Sequence, residues 1–115
     1  SLEDARKAIQ MFRQVRVDVL GIVENMSYMI APGTGEKIDV FGQGGGRRTA
    51  EAMGVPFLGE LALEPQIRIG GDSGRPIALL GEDDPRAAGF YAIARQVIQQ
   101  VNAGASKGPS ITIED

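Results

Sequence analysis

The stretch Val40-Phe41-Gly42-Gln43-Gly44-Gly45-Gly46-Arg47-Arg48-Thr49 combines four glycines, two arginines and a hydroxyl. Those types together suit anion binding: glycines let backbone N–H groups approach a phosphate, and a helix starting there would add its positive end. The spacing does not follow. A G-x-x-x-x-G-K-[ST] loop counted from Gly42 would need glycine at Arg47 and lysine at Arg48, so Thr49 alone fits. The G-x-G-x-x-G fingerprint fails as well, because Arg47 stands at its third glycine. The segment therefore reads as a flexible loop leading into a helix whose arginines face solvent. A second polar feature, Glu24-Asn25, closes an apolar run, at the strand end where open α/β sheets place their ligands.

The elements that must position these residues follow from the pattern around them. Ser1-Leu2-Glu3-Asp4 reads as a capping box, and Leu2, Ala5, Ile9 and Phe12 recur at helical spacing to about Val15. Val17-Asp18-Val19-Leu20-Gly21-Ile22-Val23 reads as an interior parallel strand, buried on both faces. Met26 to Ile30 and Lys37 to Phe41 have extended character around Pro32-Gly33-Thr34-Gly35, which predicts a hairpin-like excursion. A short helix over Arg47 to Met53 stops at Gly54, and Val55 to Leu61 forms a second strand parallel to the first. Residues 62–84 read as a long loop with one helical turn near Pro65 to Ile69, broken by Gly70, Gly71, Gly74 and Pro76. Asp84-Pro85 starts a last helix with an apolar stripe of Phe90, Ile93, Ala94, Val97, Ile98 and Val101, ending near Asn102. The residues from Ala103 to Asp115 read as a flexible tail, with Ile111-Thr112-Ile113 able to pair as an edge strand.

Composition narrows the function classes. At 115 residues and 43% hydrophobic, the chain is one folded domain at most. A net charge of −3 with mixed signs argues against a nucleic-acid partner, and the lack of a long apolar run argues against a membrane, so a cytoplasmic location is the expectation. There is no cysteine and no histidine, which removes disulfides, thiolate or imidazole metal ligands and every histidine-based catalytic triad. Two parallel strands also cannot form a sheet alone, because their edges and apolar faces need cover. The chain therefore reads either as the C-terminal part of a longer α/β protein or as one of two copies that pair edge to edge or exchange elements.

Asp4-Ala5-Arg6-Lys7 with Met11-Phe12, Val19 to Tyr28 (VLGIVENMSY), Phe41 to Gly46 (FGQGGG) and Gly54 to Glu60 (GVPFLGE) closely resemble the Mrp (ApbC-like) family of P-loop ATPases. Leu63 to Arg68 (LEPQIR) and Asp72 to Pro76 (DSGRP) continue the match. The resemblance implies a MinD/ParA-related iron–sulfur cluster carrier that forms a homodimer around ATP and meets iron–sulfur client or scaffold proteins. It implies an α/β fold, here a partial P-loop NTPase three-layer arrangement of parallel strands and flanking helices over residues 1–102, with residues 103–115 as the tail. The phosphate loop and Mg-binding carboxylates of such proteins precede everything present here, so ATP and Mg belong to the intact protein and this chain alone is expected to be inactive. The glycine loop then lies away from the phosphates.

Asn25 matches the family position that contacts the adenine base, where an amide can donate and accept on one base edge. Leu63, Glu64 and Pro65 match the segment that wraps base and ribose. Many members carry Cys-x-x-Cys in the excursion, and two subunits together supply four thiolates to a [4Fe–4S] cluster. Here those positions are Ala31 and Thr34, and neither offers a thiolate. Two other readings stand beside this one: a non-enzymatic interaction module with an exposed sheet edge, and a MinD/ParA-like spatial regulator.

Overall fold

Helix α1 runs over Leu2–Gln14 and buries Ile9, with Glu3 and Asp4 in its first turn beside the positive end of the helix. Ser1 occupies the N-cap but its side chain makes no capping hydrogen bond, so the capping box is not formed. The computed structural model describes residues 1–40, 42 and 44–107, the last three as backbone alone. Phe41, Gln43 and everything from Gly108, including Ile111–Ile113 of the expected flexible tail, lie outside the described residues.

Strand β1 spans Ile22–Ile30, β2 Lys37–Asp39 and β3 Phe57–Ala62, in the order β2-β1-β3. β1 pairs in parallel with β3 and antiparallel with β2, the latter through Tyr28, Met29 and Ile30 opposite Asp39, Ile38 and Lys37. The hairpin and the parallel pair are thus as the sequence predicts. The first strand is not. Its expected core, Val17 to Gly21, carries no strand, and the ladder opens where the Ile22 N–H donates to the Pro56 carbonyl at 2.9 Å. The β-branched run has the propensity, but extended backbone becomes a strand only through ladder hydrogen bonds, and among the described residues the β1–β3 pairing starts at Ile22 and leaves Val17 to Gly21 outside it. Val17 and Leu20 are accordingly exposed. β1 instead continues without a break into the residues assigned to the hairpin.

Helix α2, Gly45–Met53, connects β1 and β2 to β3 and ends at Gly54 in the left-handed conformation. Helix α3, Pro65–Ser73, replaces most of the expected loop. The Glu64 side chain caps it by accepting the Gln66 N–H, Pro65 supplies its first position, and Arg75 N–H closes its end on the Gly70 carbonyl at 2.7 Å. Glycines at 70 and 71 weaken a helix without forbidding it, at about 1 kcal/mol each. These caps outweigh them. A 3₁₀ turn, Ile77–Leu80, then leads into α4, Pro85–Lys107.

α4 lies against β3 and the 3₁₀ turn and buries Ala87 completely. Its approach is close: a Cβ on Gly59 would sit 2.8 Å from Ile93 Cγ1. Tyr91 donates its hydroxyl to the Ala78 carbonyl at 2.7 Å, which fixes the 3₁₀ turn to the helix. α4 continues past the expected stop at Asn102 to Lys107, through alanines that favour helix and with no proline before Pro109. Past its middle the apolar stripe is only partly covered, with Ile98 59% and Val101 49% exposed. Among the described residues, no helix is long and apolar enough to cross a membrane.

Candidate functional site

The site begins with a slip in the β1–β3 register. Glu24 stands opposite Glu60 and Tyr28 opposite Ala62, so four steps along β1 match two along β3. Asn25, Met26 and Ser27 bulge to absorb the difference, a device common beside binding sites. Met26 takes φ 53°, a left-handed conformation seldom adopted by a residue with a side chain. Its N–H donates to Asn25 Oδ1 at 2.9 Å, which leaves the Asn25 NH₂ group for other partners. The bulge forms one wall of a cavity of about 420 Å³, closed by Leu2 of α1, Gly42 and Gly45 of the glycine loop, and Arg48 of α2.

The glycine loop brings its helix end to this same cavity, and that end already holds an anion. Glu24 Oε1 accepts the Gly46 N–H at 2.6 Å, so the positive end of α2 carries a carboxylate supplied by β1. Gly46 is glycine for this reason. A Cβ there would lie 2.8 Å from Glu24 Oε1 and 3.0 Å from Phe57 Cε1. The opening resemblance to a phosphate loop thus has a physical basis, with Glu24 standing where a phosphate would.

Beneath the bulge lies a polar seam. Ser27, 5% exposed, places its hydroxyl against both Glu24 Oε2 and, at 2.7 Å, Glu60 Oε2. Lys37 of β2 reaches across the sheet to Glu60 Oε1 at 2.8 Å and lies over the Tyr28 ring, 4.6 Å from its centroid. The Lys37 hydrogen bond, then that of Ser27, holds the Glu60 carboxyl below its usual range despite partial burial, and Glu60 in turn raises Lys37. Arg47 covers the Phe57 ring at 4.6 Å beside them.

Of the residues singled out from the sequence, Asn25 lines the cavity, in mid-strand at the bulge rather than at a strand end. Leu63, Glu64 and Pro65 do not line it. Leu63 N–H donates to the Tyr28 carbonyl at 2.6 Å, Glu64 caps α3 and Pro65 opens it. Ala31 and Thr34 sit in the hairpin turn, where Ala31 N–H donates to Glu36 O and Thr34 Oγ1 accepts the Glu36 N–H. The Glu24–Ser27–Glu60–Lys37 seam was not anticipated. Its trace in the sequence is a carboxylate set inside each of two apolar runs, Val23-Glu24 and Gly59-Glu60, with Ser27 and Lys37 near enough to serve them.

Chemically, the cavity offers an amide with free donors, the exposed thioether of Met26 and glycine backbone, a set that fits a planar heteroaromatic ring. It does not fit a triphosphate, because the Gly46 N–H is already bound. Among the described residues no group of histidine, cysteine or carboxylate side chains could hold a metal ion.

Residues 1–98 match the family model described as ParA, the NUBPL iron-transfer P-loop NTPases. The chain is 43% identical over 101 residues to an iron–sulfur cluster carrier protein of Pyrococcus abyssi, covering 88% of this chain and 34% of that protein. It is 44% identical over 106 residues to one from Synechocystis, covering 91% and 30% respectively. The iron–sulfur cluster transfer protein NUBPL of Dictyostelium discoideum is 40% identical over 101 residues, 88% of this chain and 31% of its own length. The chain therefore spans about a third of the length of the curated relatives it matches. Among solved structures, a nucleotide-binding protein from Archaeoglobus fulgidus in complex with ADP superposes with TM-score 0.56 at 37% identity, over 62% of this chain and 29% of that one. The cell division ATPase MinD of Pyrococcus furiosus shares the fold, with TM-score 0.60 at 22% identity over 85% of this chain and 37% of its own. On these matches the chain belongs to the NUBPL iron-transfer P-loop NTPases of the ParA group.

Proposed function

We propose that this chain forms the base-side wall of the nucleotide site in an ATP-hydrolysing iron–sulfur cluster carrier. The observation that carries the reading is Asn25, held on a strained bulge at the wall of a cavity sized for a ring, its NH₂ group without a partner among the described residues. Support comes from relatives named as iron–sulfur cluster carriers and from a 37% identical nucleotide-binding protein in complex with ADP.

In this reading Asn25 orients the base, Met26 packs on it and the glycine loop closes the cavity around it. ATP, when bound, supplies the hydrolysis energy, and the phosphates and Mg are held by segments of the intact protein outside residues 1–107. Leu63, Glu64 and Pro65 act at the ribose side only when the intact domain brings that segment over the ring. The cluster is cargo. With Ala31 and Thr34 in the hairpin turn, its ligands come from elsewhere in the intact homodimer or from the client protein.

N25A in the intact protein tests this reading. Loss of one ligand hydrogen bond is expected to weaken ATP and ADP binding by about tenfold in calorimetric titration, with the fold retained and only a small drop in melting temperature from the lost Met26 N–H bond. Equal affinity in the variant would overturn the assignment. The isolated chain is expected to show no ATP binding at millimolar nucleotide.

A further inference from the structure

The polar seam joins the base-side bulge to the hairpin, and its chemistry forces a choice. The Ser27 hydroxyl has one hydrogen, yet both Glu24 and Glu60 lie within its reach. It can serve one carboxylate at a time. Donating to Glu60 ties the bulge to β3; donating to Glu24 ties it to the carboxylate that caps α2 through Gly46. Lys37 bears on that choice, because its ammonium already neutralises Glu60 and so weakens that carboxylate as an acceptor for Ser27. Arg47 and Asp39 are the other charges nearby, Arg47 close to Glu60 and Asp39 close to Lys37.

We propose that Lys37 is a positioning residue for the base-side site, and that through Glu60 and Ser27 it makes the seating of the hairpin and the shape of the bulge one equilibrium. The proposal rests on the nucleotide reading of the Asn25 cavity. Lys37 lies on the strand that leaves the Ala31–Glu36 turn, so a change of its grip on Glu60 moves the hairpin strand. A ring entering beside Asn25 presses on the next two residues of the same bulge, Met26 and Ser27. Neither end can then shift without the other.

The experiment is hydrogen exchange of the hairpin amides, chiefly Ala31 and Gly35, in the intact protein with and without ADP. In the wild type, ADP is expected to change their exchange rates by about fivefold, a typical size for coupling between sites. K37M is expected to abolish this response and to change ADP affinity by a similar factor. K37R, which keeps a cation on Glu60, is expected to retain both. A merely structural role for Lys37 would lower stability in K37M while leaving the ADP response of the hairpin in place, and that result would overturn the proposal. Wild-type exchange that ignores ADP would also overturn it, whether or not K37M folds. Failure of the underlying reading has a separate signature: N25A would then bind ADP as the wild type does.

Discussion

Helices α2 and α4 both pack beside β3, yet they are held in different ways. α2 has nine residues and is pinned at both ends: Glu24 occupies its N-terminus, and the Gly54 and Val55 N–H groups close its C-terminus on Glu51 and Ala50. Thr49 and Ala50 are buried between those pins. α4 has 23 residues and is fastened mainly over its first half, through Ala87, Tyr91 and Ile93. Beyond that, its apolar stripe faces outward at Ile98 and Val101. The short helix is specified by polar contacts inside this chain. The long one carries apolar surface that these contacts do not use, in a chain spanning about a third of its relatives' length.

Five substitutions, one of them a control, can sharpen or break that contrast. I98D should have the largest effect, but only in the intact protein, where covering the α4 stripe would bury an unpaired charge at a cost above about 3 kcal/mol. In the isolated chain the same change should cost under about 0.5 kcal/mol by chemical denaturation. Equal costs in the two would mean that the stripe stays bare. G46A comes next, since its methyl meets Glu24 and Phe57; overpacking of this kind costs about 1–3 kcal/mol. G71A, in open space on α3, is its control and should be neutral or stabilising in the same melt.

E24Q should cost about 1 kcal/mol, because it weakens the charge-assisted bond at the α2 terminus while keeping the shape. An unchanged melting temperature would remove Glu24 from the pins of α2. The smallest effect belongs to the start of α4. Asp84 accepts the Arg86 side chain and N–H, which hold its carboxyl down to about 2 from 3.8. A depressed carboxyl contributes stability that is present above about pH 4 and is lost as pH falls through about 2. D84N should therefore melt slightly below wild type at pH 7, and the gap should close as the pH is lowered through that window.

Elements whose signals are local were legible in the sequence. Gly54 stops α2, Asp84-Pro85 starts α4, and Pro32 to Gly35 turns the hairpin. Val17 to Gly21 misled because a strand is a property of two segments, and propensity names only one of them. α3 was hidden by Gly70 and Gly71, whose cost is visible in the sequence while the Glu64 cap and the closure on Gly70 emerge only in three dimensions. Asn25 was singled out by its place after an apolar run and by resemblance. The bulge that frees its NH₂ group depends on a register slip that no spacing within β1 reveals. The seam was missed for the same reason, because Glu24 and Glu60 become neighbours only when β1 and β3 align.

The carboxylate at the head of α2 has a further consequence. Because Glu24 is tethered by its own strand, it meets the Gly46 N–H at an effective concentration on the order of millimolar or higher, and a dissolved phosphate at cellular levels competes poorly against it. The N–H at the head of α2 is thus kept from dissolved anions by a resident competitor. Shortening that one side chain would leave the Gly46 N–H and the positive end of α2 without their carboxylate.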